Sequence, residues 1–557
     1  MYPGDLLETI SMELTHFLKW LPRVAVGFAV LISSVAAGEP QFAALNGQDD
    51  CQNPAAFQLD LRYRTETAED SGRFHALTRS TCWAPEKTAV IVCDVWDTHT
   101  SPKAAARVVE MAPRINRLLV KVRNRGGTII HAPSGCMDFY ADHPAREHAK
   151  TTPKSKNLPK DIGSWCYQIP PEEQGEYPLD QKDGLNGDDP ETKKKFLSDL
   201  EAKGRNPGRP WIRQIDTLKI EDDDYISDKG DEVWSILEQN GIHNVLLVGV
   251  HTNMCVLGRP FGLRRMSQNG KRVALCRDLT DTIYDPSKSP FVNHFTGTDL
   301  IVAHIEKWVA PTVTSDQFLG GEPFRFSEDK RPRLVVVMGE REYRTNESLP
   351  KFVMEHLGKD YAFEFVHANE SDRDDMPGLE ALEHADAVLI SVRRRALPTQ
   401  QLKRIRDFIE SGKPVIGIRT ASHAFALRNA DPAEGHAVWP EFDREILGGN
   451  YTNHYGAGPQ VEITTITGAE DHPILDGVDA TKFRGFGSLY KVSPLANSAT
   501  PLLQGKIPNQ EPEPVAWVNK TKHGGRVFYL ATGHIQDFDQ PEFNKLFKNA
   551  VDWAVGR

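Results

Sequence analysis

The sequence lacks several features that would each define a class of protein. Seven cysteines in 557 residues are too few for a disulfide scaffold, and none follows Cys276. The charge balance gives no basic excess, since 66 Lys and Arg stand against 77 Asp and Glu for a net charge of −11. This charge repels a phosphate backbone, so no nucleic-acid partner is expected. No unit repeats at a fixed period of about 20–50 residues, which excludes solenoids and propellers.

The length and composition are those of a multidomain globular protein. At about 150 residues per domain, 557 residues predict three or four domains, or two if they are large α/β domains. Hydrophobic residues make up 39% and charged residues 26%, enough apolar material for well-formed cores.

The N-terminus has the pattern of a secretory signal peptide. Lys19 and Arg23 precede an apolar run over residues 24–35, and small residues follow as far as Gly38. The run is short for a membrane span, although an uncleaved anchor is the alternative. Acidic residues near Met1 suit a signal poorly, so Met12 is a second candidate start. We expect a signal peptide over residues 1–37, export to the periplasm or the exterior, and no membrane attachment after cleavage.

After the signal, strand-like and helix-like segments alternate in two long stretches. Short apolar runs such as TAVIVCD and HNVLLVGV are followed by segments with helical spacing. This predicts an α/β protein of two consecutive three-layer α/β/α sandwich domains with mostly parallel sheets. The expected boundaries are an N-terminal extension packed on the first domain (38–87), a first domain (88–315) with a surface insertion that could act as a lid (150–212), a linker (316–331) and a second domain (332–557).

Two strand ends of the first domain carry reactive side chains. Ligands of open parallel sheets bind at the carboxyl ends of the strands. Asp94 ends one predicted strand, and Cys255 begins the helix after another, where the helix dipole favours a thiolate. Asp94 could take the thiol proton and free backbone N–H groups could bind an oxyanion. The alternative is a buried structural cysteine.

These motifs, VIVCDVWDTH and GVHTNMCV, resemble those of the isochorismatase-like cysteine hydrolases over residues 85–312. The resemblance implies that Cys255 attacks an amide-like carbon with help from Asp94 and a lysine. It also implies a cis peptide at Val250-His251 that shapes the oxyanion hole. Lys219 matches the family lysine by its offset, although acidic residues follow it directly.

A solvated surface lysine is the alternative interpretation of Lys219, and Arg213 and Lys229 are the other candidate cations. Nicotinamidases of the same superfamily bind a divalent ion, but the nearest pattern here, YADHPAREH with Asp142, His143 and His148, departs from their spacing. The further strand-end histidines His99 and His131 are more typical of surface residues than of zinc ligands. We therefore expect no metal and no cofactor.

The second domain carries a strand-turn-helix segment, KPVIGIRTASHAF, that resembles the nucleophile elbow of class I glutamine amidotransferases. Arg419 stands where those enzymes have cysteine. His534, in TGHIQDF, stands where they have histidine. The segment 332–557 thereby resembles the ThuA-like (trehalose utilisation) domains, which share that fold and are associated with sugar metabolism.

Four side chains at these strand ends form a candidate polar pocket in the second domain, in which the arginine could hold a carboxylate or phosphate: Arg419, Ser422, His423 and His534. A retired active site kept for packing or binding is one alternative. A nucleophilic pair of Ser422 and His534 is another, although no acid to orient the histidine is evident.

The whole sequence therefore favours an exported hydrolase acting on a small amide-like or related bond, fused to a sugar-related domain. The expected partner is a small, carbohydrate-related substrate, and a homo-oligomer is an open option. Cys51 and Cys82 could pair after export, whereas Cys93 is expected in the core. A non-catalytic carbohydrate-binding or scaffold protein is the main alternative, and a redox-sensing thiol protein is a third.

Overall fold

The apolar runs of the first half form an eight-stranded sheet in the computed structural model, which describes Phe42, Leu45 and residues 51–180 and 186–557. The strands are β1 (Phe57–Glu66), β2 (Phe74–Trp83), β3 (Thr88–Cys93), β4 (Thr128–Ala132), β5 (Tyr225–Ile226), β6 (Asn244–Val250), β7 (Arg272–Asp281) and β8 (Thr312–Val313). Their order is β2-β1-β8-β7-β6-β3-β4-β5. All neighbours from β8 to β5 are parallel, and the hairpin β1–β2 joins at the β8 edge in antiparallel fashion.

Helices cover both faces of this sheet. They are α1 (Pro102–Arg123), α2 (Pro144–Thr151), α3 (Pro190–Ala202), α4 (Gly230–Gln239), α5 (Leu263–Gln268), α6 (His294–Trp308) and α7 (Asp316–Leu319). Alternate residues of β3 enter two separate cores: Val90 packs with Met111 of α1, and Ile91 packs with Val233 of α4 and Ile301 of α6. The predicted three-layer arrangement follows from this alternation.

The N-terminal extension adds the hairpin β1–β2 to the first sheet. The two strands pair over ten residues each. Along β1, buried residues alternate with less buried ones, and the buried set includes Leu59 and Leu61. A disulfide joins Cys51 to Cys82 with a Cα–Cα distance of 5.0 Å, which confirms that these two cysteines pair. The remaining thiols, Cys93 among them, are buried.

The insertion at 150–212 is partly packed and partly on the surface. Cys166, Ile169 and Leu179 join the core of the first half, whereas α3 buries none of its side chains. The segment is therefore anchored against the sheet domain along part of its length.

The second half is built on a nine-stranded sheet in the order β10-β9-β11-β13-β21-β20-β19-β16-β17. Its strands are β9 (Arg333–Gly339), β10 (Ala362–His367), β11 (Ala387–Val392), β13 (Val415–Ile418), β16 (Val461–Thr465), β17 (Arg484–Gly485), β19 (Thr500–Lys506), β20 (Glu513–Lys520) and β21 (Arg526–Leu530). The pairs from β10 to β21 are parallel, and those from β21 to β17 are antiparallel. The antiparallel part was not predicted.

Three helices and two small sheets complete the second half. The helices are α8 (Thr345–Phe352), α9 (Thr399–Glu410) and α10 (Pro541–Val555). The small sheets pair β12 (Leu397–Pro398) with β14 (His436–Ala437) and β15 (Asn453–His454) with β18 (Tyr490–Lys491). Both halves thus combine helices with large sheets that contain parallel strands, as the sequence predicted, although the parallel strands of the second sheet continue into an antiparallel part.

Charged contacts hold the two halves together. Arg64 of the hairpin donates from Nε to Glu306 at 3.0 Å and from both Nη atoms to Glu364 of β10 at 2.8 Å. In the segment between the two sheets, Arg331 is buried and donates to Thr296 at 2.6 Å and Asp299 at 3.0 Å of α6. The predicted linker is therefore packed against the first half.

The signal peptide expected over residues 1–37 lies outside the described residues. Among the residues that are described, no helix combines the length and the apolar character needed to cross a membrane.

Candidate active site

The predicted residues Asp94 and Cys255 meet because the strands before them are neighbours. Strands β3 and β6 are parallel, with Cys93 in register with Gly249. A Cβ at Gly249 would lie 2.0 Å from the carbonyl oxygen of Cys93, so this position requires glycine for the strand ends to approach. Asp94 directly follows β3, and Cys255 lies in the single helical turn Thr252–Val256 after β6.

Asp94 is a fully buried carboxylate with one oxygen held by the backbone. Oδ1 accepts the N–H of Ser134 at 2.7 Å, and Oδ2 lies 3.4 Å from Nε of Arg259. Burial raises the pKa of Asp94, while the charge of Arg259 and the neighbouring Cys255 thiol oppose this rise. No described donor is hydrogen-bonded to Oδ2, so this oxygen is free to receive the thiol proton.

Cys255 is a protonated thiol in this environment. The residue is 8% exposed, and burial together with the charge of Asp94 raises the pKa of its thiol well above the ordinary value, with Arg259 opposing. Burial and Asp94 therefore oppose the thiolate that the helix dipole favours. The helical turn spans five residues, and its weak dipole is outweighed by burial and by the adjacent carboxylate.

The cation at this site is Arg259. Its N–H donates to the Cys255 carbonyl at 3.0 Å, which puts its guanidinium one turn after the thiol. The guanidinium also lies over the ring of Trp165, 5.3 Å from its centroid. The interactions with Asp94 and Cys255 raise the pKa of Arg259, although burial opposes this.

Lys219 is not brought to this cluster. It is exposed, its N–H donates to Asn116 at 2.9 Å, and its carbonyl accepts from Arg123 at 3.3 Å. Both partners belong to the last turns of α1, which ends at the opposite edge of the parallel sheet from Asp94. The structure therefore corrects the predicted cation from Lys219 to Arg259, because the acid-rich loop after residue 215 packs along α1.

The two other candidate cations have different partners. Arg213 pairs with Asp216 at 2.6 Å, and its Nε lies 4.0 Å from Asp97. Lys229 lies on the surface, 3.4 Å from Glu232. Neither contact involves the thiol.

The segment between β6 and the thiol has the geometry that the resemblance implied. The peptide bond Val250-His251 is cis. The His251 carbonyl accepts the N–H groups of Met254 at 3.0 Å and Val256 at 3.2 Å, which fixes the turn that carries Cys255. Burial, followed by the charge of His99, lowers the pKa of His251 far below its usual range, so its imidazole is neutral.

Aromatic rings form one wall of this region, among them Trp96 and Trp211, which the sequence pattern did not single out. Trp96 stacks on Trp211 with ring centroids 4.3 Å apart, and His99 stacks on Trp211 at 5.9 Å. His99 also meets the His251 ring edge-on at 4.9 Å, and burial lowers the pKa of His99 to about 4. Trp211 and Trp165 both come from the insertion, which therefore contributes directly to the surroundings of the site.

A cavity of about 340 Å³ opens beside the nucleophile turn. It is lined by Asn253 and Met254, by Arg264 and His304, and by the insertion residues Trp165, Tyr167, Gln168, Glu172, Gly175 and Tyr177. The Glu172 carboxylate is held by Arg264 at 2.7 Å and by His304 at 2.9 Å. These hydrogen bonds outweigh burial and lower the pKa of Glu172 to about 2. The cavity thus has aromatic walls around the buried ion pair of Glu172 and Arg264.

The histidines considered as metal ligands have other partners. His131 lies between Gln214 at 3.0 Å and Asp224 at 3.2 Å, His148 stacks on Tyr225 at 4.0 Å, and His143 accepts the N–H of Ala145 at the start of α2. Asp142 is exposed. No group of three His, Cys, Asp or Glu within the described parts of the chain has the geometry to hold a metal ion.

In the second half, Arg419 occupies the centre of the predicted pocket. It follows β13, is buried, and donates to the carbonyl of Ala531 at 2.6 Å and to the hydroxyl of Tyr343 at 3.1 Å. Its guanidinium carbon lies 3.9 Å from the ring centroid of Tyr490 and 4.3 Å from that of Tyr343. A side chain at Gly487 would collide with this guanidinium, so the segment before β18 also shapes the site.

Ser422, His423 and His534 do not form a nucleophilic pair or triad. Ser422 Oγ lies 3.1 Å from Nδ1 of the adjacent His423, whose ring stacks on Tyr451 at 4.4 Å. The His534 side chain instead accepts the N–H of Gln536 at 3.3 Å and begins the turn Ile535–Asp539. The alternative of a Ser422–His534 pair is wrong, because each side chain is bound to its own turn.

Residues 333–554 match the family described as ThuA: Trehalose utilisation, so a ThuA-like domain occupies the second half. A comparison with curated proteins finds no match. Among solved structures, a ThuA-like protein from Bacteroides uniformis ATCC 8492 is 19% identical over 42% of this chain and 95% of its own, with a TM-score of 0.31. A cysteine hydrolase from Pseudomonas syringae pv. phaseolicola 1448A is 14% identical over 42% of this chain and 92% of its own, with a TM-score of 0.25.

Proposed function

We propose that the first half is a hydrolase that uses Cys255 as nucleophile on the carbonyl carbon of a small amide-like substrate. The observation that carries this proposal is the cluster of Asp94, Cys255 and Arg259 at the carboxyl edge of two adjacent parallel strands. An acid, a thiol and a cation in mutual contact have the chemistry of an acyl transfer site. The same arrangement is unusual for a structural cysteine, whose neighbours are ordinarily apolar.

The first step is attack with proton transfer. The Cys255 sulfur forms a bond to the carbonyl carbon while its proton passes to Asp94 Oδ2, so the raised pKa values of both groups suit a thiol that ionises only as it attacks. The C–N bond of the tetrahedral intermediate then breaks, and Asp94 returns the proton to the leaving amine. Water attacks the resulting thioester, releases a carboxylic acid and restores the thiol.

Arg259 stabilises the Asp94 carboxylate, and backbone N–H groups stabilise the oxyanion. Arg259 lies 3.4 Å from Asp94 and keeps its carboxylate available as a base despite full burial. Backbone N–H groups of the turn around His251 and Cys255 are the oxyanion donors in this mechanism, since the first N–H groups of a helical turn lack internal partners. Trp165 holds the Arg259 guanidinium in place from the other side.

A small-molecule substrate is supported by the size and lining of the neighbouring cavity. Its volume of about 340 Å³ lies within the range of small-ligand pockets. Trp165 lines this cavity and also contacts Arg259, so the cavity lies next to the reacting groups. Fusion to a ThuA-like domain, whose family description is trehalose utilisation, supports a carbohydrate-related substrate.

Export is part of the same proposal. The N-terminal apolar run supports it, and so does the disulfide Cys51–Cys82, since disulfides persist mainly in oxidising compartments. Detection of the mature chain in the periplasm or medium, with its N-terminus near residue 38, would test this part.

The catalytic proposal is tested with a panel of small aliphatic, aromatic and sugar-linked amides. Cys255→Ser should abolish hydrolysis, and Arg259→Met should reduce kcat/KM by at least about 100-fold. Lys219→Met is the matched control, because it removes an exposed cation of the same domain that lies away from Cys255. Mass spectrometry of a rapidly quenched reaction should show an acyl adduct on Cys255.

Two outcomes would count against the proposal. Hydrolysis that survives Cys255→Ser would mean that another group is the nucleophile. No turnover of any amide, together with sugar binding that survives Cys255→Ser, would favour the non-catalytic carbohydrate-binding alternative.

A further inference from the structure

The ThuA-like half contains a buried arginine that forms no direct ion pair with any described carboxylate. Arg419 is 2% exposed, and its guanidinium is bonded to neutral groups: the Ala531 carbonyl, the Tyr343 hydroxyl and, at 3.3 Å, the Ser488 hydroxyl. Among the residues that the structure describes, none is hydrogen-bonded to its Nε. Buried charges in proteins are normally paired with an opposite charge, because an unpaired charge is costly to desolvate.

A nearby acid interacts with Arg419 without a direct ion pair: burial raises the pKa of Asp537, and the charge of Arg419 opposes this rise. Asp537 is fully buried, and its oxygens accept three backbone N–H groups, from Gly533 at 2.7 Å, His534 at 2.8 Å and Phe486 at 2.9 Å. These bonds fix the turn after β21. Within the described residues, no carboxylate forms an ion pair with Arg419.

Further arginines converge on the same strand ends. Arg393 and Arg394 follow β11, and Arg428 follows the turn that carries His423. The charges of these three and of Arg419 all act on the His423 ring and, after burial, lower its pKa far below the usual range, so the imidazole is neutral. Positive charge is therefore concentrated around His423.

Some of these arginines form no salt bridge with a described carboxylate. Arg393 pairs with Glu342 at 2.6 Å. Arg394 instead bonds to Tyr451 and, through its backbone N–H, to the His423 carbonyl at 3.0 Å. Among the described carboxylates, none pairs with Arg394 or Arg428.

Aromatic rings flank the cationic groups. Tyr451 stacks on His423 at 4.4 Å and meets Tyr490 at 4.7 Å, and Tyr490 lies over the Arg419 guanidinium. These rings offer both flat apolar faces and hydroxyl groups, which is the lining expected for a polyhydroxylated ligand rather than for a bare ion.

We propose that the carboxyl edge of the second sheet binds a sugar-sized organic anion, whose carboxylate or phosphate group is held by Arg394 and Arg428 above the buried charge of Arg419. The half-buried Arg394 and the exposed Arg428 contact the anionic group. Arg419 acts from beneath as a positioning residue, since its charge is little screened in the interior. The sugar portion packs against the half-buried Tyr451, whose ring is held from behind by the buried His423.

The test is calorimetric titration of the full chain with glucose 6-phosphate, gluconate, inorganic phosphate and neutral glucose. A sugar anion should bind more tightly than both inorganic phosphate and glucose, and raised salt should weaken the binding. Arg394→Gln and Arg428→Gln should each weaken it by at least about ten-fold, the usual effect of losing a charge-assisted hydrogen bond. The phosphate and carboxylate probes distinguish which anionic group is preferred.

Arg344→Gln is the matched control. Arg344 is exposed near the end of β9 and already pairs with Glu347, so its loss should leave binding unchanged. Cys255→Ser should also bind normally, which separates this proposal from the hydrolase proposal. The site would be overturned if neither glucose 6-phosphate nor gluconate bound at about 10 mM, or if Arg344→Gln and Arg394→Gln weakened the binding equally. Equal affinity for inorganic phosphate would overturn the sugar contact.

Discussion

The reactivity of Cys255 should respond with opposite sign to its two charged neighbours. Asp94→Asn removes the negative charge that disfavours the thiolate, so the thiol pKa should fall and alkylation near neutral pH should become faster. Arg259→Met removes the cation that favours the thiolate, so alkylation should become slower. The same two changes should both reduce hydrolysis, which makes alkylation a separate measure of the local electrostatics.

The size of the effect is scaled from the ion-pair distance between Arg259 and Asp94. Unit charges 3.4 Å apart, as Arg259 Nε and Asp94 Oδ2 are, interact by about 5 kcal/mol at an effective dielectric constant of 20. If solvent and side-chain relaxation leave a third of such an interaction acting on the thiolate, the fraction of Cys255 that is ionised changes about ten-fold. We expect at least this change in the alkylation rate, in the stated direction for each variant.

The assay is iodoacetamide labelling from about pH 6 to about pH 10, read as the modified fraction of the Cys255 peptide by mass spectrometry. Peptide resolution is needed because four other thiols are free, all of them buried. Lys219→Met is the control that should leave the profile unchanged, and circular dichroism should show that each variant is folded. Slower alkylation in Asp94→Asn, or equal effects of Lys219→Met and Arg259→Met, would refute the reasoning.

Three further predictions concern stability. Replacing Cys51 and Cys82 by Ala should lower the free energy of unfolding by about 3–4 kcal/mol in urea titrations, since the bond closes a loop with a sequence separation of 31; an unchanged midpoint would contradict this. Burial raises the pKa of Asp443 to about 7, so its ionisation should reduce stability as pH rises from about 4 to about 7, by up to about 4 kcal/mol, and Asp443→Asn should flatten that profile. Arginine contacts lower the pKa of the buried Glu306 to about 2. Glu306→Gln should therefore lower the free energy of unfolding by about 3–5 kcal/mol at pH 7, and this difference should shrink as pH falls from about 4 towards 2. A difference independent of pH would contradict the ion-pair assignment.

The sequence predicted the strands that carry the first site because their signal is local. TAVIVC and NVLLVGV are short apolar runs, and the residues that end them are the ones a parallel sheet uses. The pairing of β3 with β6, and hence the meeting of Asp94 with Cys255, followed from that rule together with the resemblance.

The cation was missed because Lys219 was chosen by its offset. Arg259 lies four residues after Cys255, and its N–H donates to the Cys255 carbonyl. That spacing places two side chains on one helix face and could have been used. The contribution of Trp165 could not have been predicted, since it requires a segment about 90 residues distant in sequence to fold over Arg259.

The second sheet was predicted only in part. Strand β13 lies in the strand-turn-helix segment that the sequence analysis identified. The antiparallel strands β16 (VEITT), β19 (TPLLQGK) and β20 (EPVAWVNK) mix apolar with polar residues, so they lack the continuous apolar run of a buried parallel strand, and the register of β19 against β20 shifts near Leu503. Ser422 and His534 do not pair, because Ser422 Oγ lies 3.1 Å from His423 Nδ1 and the His534 side chain accepts the N–H of Gln536.

The hairpin β1–β2 has a consequence for how the two halves can be separated. Its backbone belongs to the first sheet, yet Arg64 and Arg73 bind Glu364 and Glu370 of the ThuA-like half, at 2.8 Å in both cases. The Ala76 carbonyl would lie 2.9 Å from a Cβ at Gly378, so the two surfaces fit closely. A recombination event at the linker would therefore place the arginines and the glutamates of this contact on different chains. The two domains are expected to have been inherited and to have diverged together, rather than exchanged as independent modules.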